Sequence, residues 1–135
     1  MFTAYLNLNG QGREAAALYA EAFQGEVAQL RLYSDLPADR SAGISDEARA
    51  LVMHAHLKTP FGDIMLSDRM SGSAVYPTSA IWLNALSADQ AQLRHAFEVL
   101  SREGEVLEEL TSSFHTPLVG QVKDKFGFYW TVRAV

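Results

Sequence analysis

Two histidines two residues apart are the side chains in this 135-residue sequence best suited to proton transfer. His54 and His56 alternate with Met53, Ala55 and Leu57, which is the pattern of a β-strand. Because successive strand side chains point to opposite faces, both imidazoles are expected on one face, about 7 Å apart. An unperturbed imidazole titrates near pH ~6.5 and can act as an acid or a base. The pair is the candidate catalytic group.

A divalent metal shared by these histidines would need a third ligand. The chain has no cysteine, so His115, Asp68 or Glu26 would have to supply it. The alternative is that both imidazoles line a pocket or bind their neighbours without a metal. The sequence favours the metal-free interpretation, and no cofactor is predicted.

Polar and aromatic side chains also share one face of three further predicted strands. If these faces meet, they enclose a cleft in which a few polar groups orient a small organic ligand. The alternative is that they are the solvated or dimer-facing sides of antiparallel sheets. The predicted ligand-binding residues are Tyr5, Asn7, Trp82, Asn84, Tyr129 and Thr131.

A duplicated phrase predicts the architecture that must position these residues. Gly25-Glu26-Val27 followed by Phe61-Gly62 recurs as Gly104-Glu105-Val106 followed by Phe126-Gly127. The period-2 and helical patterns give each half the order strand, helix, strand, strand, strand. We therefore predict one α+β domain, residues 1–135, with two βαβββ modules in tandem, about 1–70 and 78–135, forming a curved mixed sheet around a cleft.

Turn and capping residues set the expected element boundaries. Gly25 and Gly104 are expected to end the two helices, and Asp89 to cap the start of the second. The polar stretch 34–49 has no apolar period and is predicted to be a long surface loop. Ser71-Gly72-Ser73 with Pro77 is the predicted linker between the modules.

Composition excludes several classes of function. The net charge of −5 without a basic run argues against nucleic-acid binding. No apolar run approaches the ~20 residues of a membrane span. A cytoplasmic protein is the expectation.

Four other residues are assigned structural positions. Spacing groups His95 with a polar helix face, which predicts that it is solvated. Trp130 alternates with apolar residues and is expected in the core, while Asp124 and Lys125 are expected to be turn residues.

The sequence resembles the PhnB-like branch of the vicinal oxygen chelate superfamily, which includes glyoxalase I, bleomycin-resistance proteins and extradiol dioxygenases. The resemblance covers nearly the whole chain, and its motifs include His54-Ala55-His56-Leu57-Lys58, Asp63 to Asp68, and Lys123-Asp124-Lys125-Phe126-Gly127 with Trp130. It implies the glyoxalase-like fold and a homodimer.

The superfamily's metal ligands are missing from the positions that the resemblance assigns to them. The position of the last-strand carboxylate falls on Thr131, and the matching position in the first half of the chain, 65 residues earlier, falls on Leu66. The other two positions fall on Ala4 or Tyr5 and on Ala80 or Trp82. None of these is a ligand that Zn²⁺, Ni²⁺, Mn²⁺ or Fe²⁺ prefers. The methyltransferase activity for which some members of the branch are named is also disfavoured. The sequence predicts no strand followed by a glycine-rich turn of the kind that binds a nucleotide-like cofactor.

Three functions remain as hypotheses. The first is a metal-free protein that binds an unidentified small organic molecule. The second is a lyase or isomerase-type enzyme that uses His54 or His56, with or without a divalent metal. The third is a resistance protein that traps a drug between aromatic side chains such as Trp82 and Tyr129.

Overall fold

The two halves of the chain form two four-stranded sheets. The computed structural model describes residues 1–70 and 74–135, so the predicted linker Ser71-Gly72-Ser73 lies outside the described residues. The first module comprises β1 (Ala4–Leu8), α1 (Gly12–Ala22), β2 (Glu26–Leu32), the short helices α2 (Ala38–Ser41) and α3 (Asp46–Arg49), β3 (Val52–Thr59) and β4 (Gly62–Asp68). The second comprises β5 (Trp82–Ser87), α4 (Gln90–Ser101), β6 (Glu105–Thr111), β7 (Val119–Lys123) and β8 (Tyr129–Ala134). The predicted βαβββ order is confirmed in both.

The two sheets have the same topology. Their strand orders are β1-β4-β3-β2 and β5-β8-β7-β6. The first and last strands of each module run parallel, and the other neighbours are antiparallel. The predicted alternation is confirmed in β1 and β3, where the buried side chains are Leu6, Leu8, Ala55 and Leu57. It is not confirmed for Ile81, which is 72% exposed, or for Thr131, which is 9% exposed.

Both helices pack on the aliphatic faces and on each other. Helix α1 covers the first sheet and α4 the second, and their contact joins the two faces into one core. Tyr19 and Phe23, at the α1 end of this contact, are fully buried. In the described ranges, no helix has both the length and the apolar character that crossing a bilayer requires.

The polar segment 34–49 is more ordered than predicted. A 3₁₀ turn over Tyr33–Asp35 precedes α2 and α3. The Ser45 hydroxyl caps α3 by accepting from the Ala48 N–H at 3.1 Å, and the Arg49 guanidinium donates to two carbonyl oxygens of the segment. The loop prediction was wrong here, because such short turns depend on caps and leave no apolar period in the sequence.

The two repeated glycines have a different role from the one expected. The left-handed residues that end the helices are Gln24 and Glu103, with φ of 51° and 55°. A Cβ on Gly25 would lie 2.4 Å from the Lys58 carbonyl oxygen, and one on Gly104 would lie 2.6 Å from that of Lys123. The duplicated Gly-Glu-Val therefore marks a place where two strands of each module approach too closely for a side chain.

His95 is not simply solvated. Its Nε2 lies 2.8 Å from the carbonyl oxygen of Glu21 near the end of α1. Helical spacing places His95 on the polar face of α4, but that face contacts the other helix. The prediction failed because spacing within one helix does not show which other helix lies beside it.

Candidate functional site

A mostly apolar cavity lies between the modules. It has a volume of about 270 Å³ and is bounded by β1, β5, the start of β8 and the connection between the modules. None of the side chains that line it is charged. We call it the first cavity, and its lining residues are Ala4, Tyr5, Leu6, Pro77, Thr78, Ile81, Leu83, Phe128 and Tyr129.

A smaller cavity adjoins it. This second cavity, of about 110 Å³, shares Ala4 and Leu83 with the first and lies between the β3–β4 hairpin and strands β5 and β8. It differs in carrying a carboxylate. Its other lining residues are Phe23, Thr59, Phe61, Gly62, Asp63, Ile64, Asn84, Ala85 and Trp130.

A buried carboxylate fixes the loop that forms one wall of the first cavity. Asp124 is 3% exposed, and its Oδ2 accepts from the Tyr19 hydroxyl at 2.5 Å and from Trp130 Nε1 at 2.9 Å. Its Oδ1 accepts from the backbone N–H groups of Phe126 and Phe128. Burial, followed by the negative charge of Asp124, raises the pKa of Tyr19 well above its usual range. Helix α1 of one module thus positions the β7–β8 loop of the other.

An exposed ion network ties the same loop to both helices. Lys125 Nζ pairs with Glu14 of α1 and lies 2.7 Å from Glu103 Oε2, just beyond α4. The hydrogen bond to Glu103 raises the pKa of Lys125, and the same bond lowers the pKa of Glu103. Because solvent screens exposed pairs, this network adds less rigidity than Asp124 does.

A second buried carboxylate occupies the glycine turn after β1. Gly10-Gln11-Gly12 follows the strand and leads into α1, so a glycine-rich turn is present, contrary to the sequence interpretation. Asp68 accepts from the N–H groups of Gly10 and Gly12 at 3.0 and 2.8 Å, and also from Val52 N–H at 2.9 Å. These amides are therefore not free to bind a phosphate.

The two candidate catalytic histidines share one sheet face, as predicted. The Tyr5 hydroxyl lies 3.3 Å from His54 Nδ1, and His56 Nε2 lies 2.8 Å from Asp63 Oδ2. Neither imidazole lines either cavity, although Tyr5 lines the first and Asp63 the second. The histidines thus lie one side chain away from the space where a ligand fits.

The other predicted site residues are divided between the cavities and the open sheet faces. Tyr5 and Tyr129, from different modules, line the first cavity, and Asn84 lines the second. Trp82 packs against Tyr129 with ring centroids 5.0 Å apart. Asn7 and Thr131 line neither cavity, and Thr131 is buried, at 9% exposed.

Several cavity residues were not predicted. Ile81 and Phe128 were not among the predicted ligand-binding residues, and Pro77 was assigned to the linker. Asp63 directly follows a hairpin glycine, a position that is usually a solvated turn. No sequence signal distinguishes these positions, because the cavities lie where the two modules meet.

The strand register corrects one of the superfamily ligand positions. Leu66 pairs with Leu6 and Ala55 on the buried face of the first sheet. Ser67 pairs with Asn7, just as Thr131 pairs with Asn84 in the second sheet. Ser67, not Leu66, is therefore the counterpart of Thr131. A constant offset of 65 residue numbers between the modules fails because their hairpin turns differ in length. Two residues separate the paired Thr59 and Gly62, whereas five separate the paired Lys123 and Tyr129.

The side chains at the corrected positions do not fit the superfamily metal. They are Tyr5, Ser67, Trp82 and Thr131, and none has an imidazole or carboxylate. Within residues 1–70 and 74–135, no three His, Asp or Glu side chains are grouped so that they could hold an ion. Asp68 cannot complete a site with the histidines, because its oxygens accept three backbone hydrogen bonds.

Solved structures with the same arrangement identify the fold. A Pseudomonas aeruginosa protein, 24% identical, aligns over 99% of this chain and 96% of its own with a TM-score of 0.85. The chain has the glyoxalase-like fold. A glyoxylase/bleomycin resistance protein/dioxygenase domain from Frankia aligns with 12% identity over 99% of this chain and 90% of its own, with a TM-score of 0.66.

A PhnB protein from Bacillus cereus shares this glyoxalase-like architecture. It is 22% identical over 99% of this chain and 98% of its own, with a TM-score of 0.81, and its name includes 3-demethylubiquinone-9 3-methyltransferase. No protein-family model matches the sequence, and a search of curated proteins finds no match. The fold that the sequence resemblance implies is thus confirmed.

Proposed function

We propose that this protein binds a small organic molecule whose uncharged, apolar portion occupies the first cavity. The observation that carries the proposal is the lining of that cavity by aliphatic and aromatic groups from both modules, with no charged side chain. A mostly apolar pocket with a few hydroxyl groups is typical of small-molecule sites. The hydroxyls of Tyr5, Thr78 and Tyr129 are available to orient the ligand.

The proposal requires no superfamily metal. The hydroxyl and indole groups at the ligand positions are poor donors for divalent cations. Binding would therefore depend on shape, apolar burial and hydrogen bonds. The methyltransferase name of the Bacillus cereus protein is not carried over, because Asp68 occupies the amides of the glycine turn.

Matched probes and a cavity-filling variant test the proposal. We expect 2-naphthalenemethanol to bind more tightly than the anion 2-naphthoate, because burying a charge without a partner is unfavourable. Ala4 lines both cavities, so Ala4→Leu should weaken binding of the alcohol by about tenfold, corresponding to ~1.4 kcal/mol. The measurement is isothermal titration of each probe, with circular dichroism to confirm folding.

The control places the same substitution on an exposed strand position. Ala28 lies on β2 away from both cavities, and Ala28→Leu should leave the affinity unchanged. Equal binding of alcohol and anion, or equal losses in the two variants, would exclude the first cavity as the site.

An enzyme that uses the histidines is the second candidate. It is favoured by the 2.8 Å contact of His56 with Asp63, because a carboxylate can hold an imidazole in a fixed orientation. In this case His54→Ala or His56→Ala would abolish turnover of a substrate while probe binding remained. Stoichiometric tight binding without any product would instead support the resistance hypothesis, in which Trp82 and Tyr129 hold a drug.

A further inference from the structure

We infer that the second cavity binds an ammonium group of the same ligand whose apolar portion occupies the first. The ligand class is then an amine with an attached ring or hydrocarbon body. This inference rests on the proposed function, because it requires a ligand in the first cavity.

The charge of the second cavity is the first argument. Among the residues that line the two cavities, Asp63 is the only charged one. One of its oxygens contacts His56, but a carboxylate offers about four lone-pair sites, so it can accept from a second donor. An ammonium group has only donors and carries the complementary charge.

The aromatic rings around this carboxylate are the second argument. Phe23, Phe61 and Trp130 line the same cavity. The Phe23 ring centroid lies 5.2 Å from that of Phe61 and 5.0 Å from that of Trp130. Phe23 and Trp130 are buried, so the partly exposed Phe61 ring is the one that a cation in this cavity would contact. A ring face within about 6 Å attracts a cation. A neutral or anionic group would not gain this attraction.

The size and position of the second cavity complete the argument. Its volume of about 110 Å³ suits a single small group rather than a whole ligand. It shares Ala4 and Leu83 with the first cavity, and the inference places one molecule across both. Asn84 adds an amide oxygen that can accept a further N–H from the ammonium group.

Paired probes test the inference. We expect 2-naphthylmethylamine to bind about tenfold more tightly than the isosteric 2-naphthalenemethanol, a difference of ~1.4 kcal/mol, because only the amine carries a charge that pairs with Asp63. Asp63→Asn keeps the shape of the side chain and removes its charge, so it should abolish this preference. The affinity of this variant for the alcohol should differ from that of the unmodified protein by less than about twofold. The measurement is isothermal titration at low salt.

Glu26→Gln is the matched control, because it removes one negative charge from the exposed start of β2 outside both cavities. It should retain the full preference for the amine. If the alcohol binds but the amine gains nothing, the inference is wrong and the proposed function stands. If Glu26→Gln and Asp63→Asn reduce the preference equally, general electrostatics explain it and the inference is also overturned. If neither probe binds the unmodified protein, both proposals fail.

Discussion

The hydroxyl of Tyr19 donates to Asp124 across the boundary between the modules, in a region closed to solvent. Four donors satisfy this carboxylate, and among the described residues no Lys, Arg or His side chain forms an ion pair with it. Removing a single donor would leave a buried negative charge less well compensated, which is costlier than losing an exposed hydrogen bond. Tyr19 therefore links the core to the Phe128–Tyr129 wall of the first cavity.

The raised pKa of Tyr19 gives stability a specific pH dependence. The unfolded chain loses this phenol proton near pH ~10, while the native protein retains it to higher pH. The contribution of the Tyr19 phenol to the free energy of unfolding is thus complete below pH ~10. It is lost as the pH rises above that value, by at most ~1.4 kcal/mol per pH unit. Tyr19→Phe should be less stable near neutral pH, by ~1–3 kcal/mol.

The gap in unfolding free energy between the two proteins should narrow above pH ~10, because only the unmodified protein carries this phenol. Urea denaturation at about pH 8 and pH 11 measures it. Tyr33→Phe, which loses only a 3.5 Å contact to the Asp68 carbonyl, is the control. A constant gap would show that Tyr19 does not titrate with unfolding.

At the scale of the elements, the duplicated phrase has a steric cause. Each glycine allows the start of one edge strand, β2 or β6, to lie against the backbone at the end of its neighbour. The repeat was predicted correctly from the sequence, but its two glycines were interpreted as the residues that end the helices. A glycine that stops a helix and one that permits close approach look identical in a sequence, and only φ and the neighbouring carbonyl distinguish them.

Substituting these glycines should be unfavourable in both modules. Gly25→Ala and Gly104→Ala each force a Cβ against a carbonyl oxygen, and overpacking of this kind costs ~1–3 kcal/mol. Gly43→Ala is the comparison, because its φ of 84° is strained but nothing lies within 4 Å of the added Cβ. It should cost only ~1 kcal/mol. Chemical denaturation would contradict the steric account if the three variants were equally destabilised.

Much of the element order was readable because local signals agreed with it. Alternation placed the helix-facing and open faces of the strands, and Asp89 caps α4 as expected, accepting from Ala91 N–H at 2.9 Å. The site was less predictable. His54 and His56 share a face because of local alternation, but the cavities depend on how β1 meets β5 and β8. Asp63 gains its importance only from that meeting.

At the scale of the whole molecule, the open sheet faces lead us to expect a homodimer. Edge strands β2 and β6 leave Val27, Leu30, Val106 and Leu107 roughly 40% exposed. Exposed edges of this length are usually covered by another chain or protected by charge. We predict that native mass spectrometry at micromolar concentration gives twice the chain mass. A monomer at that concentration would show that the open face of each sheet is in contact with water and not with a second chain.

The unequal β3–β4 and β7–β8 hairpins bear on the ancestry of the chain. If both halves descend from one duplicated gene segment, the two turns have diverged since the duplication, and only the β7–β8 turn carries a carboxylate that reaches the other module. A symmetric ancestor built from two copies of the first half would have no carboxylate facing Tyr19. Divergence after fusion would then have turned two interchangeable copies into parts that depend on each other.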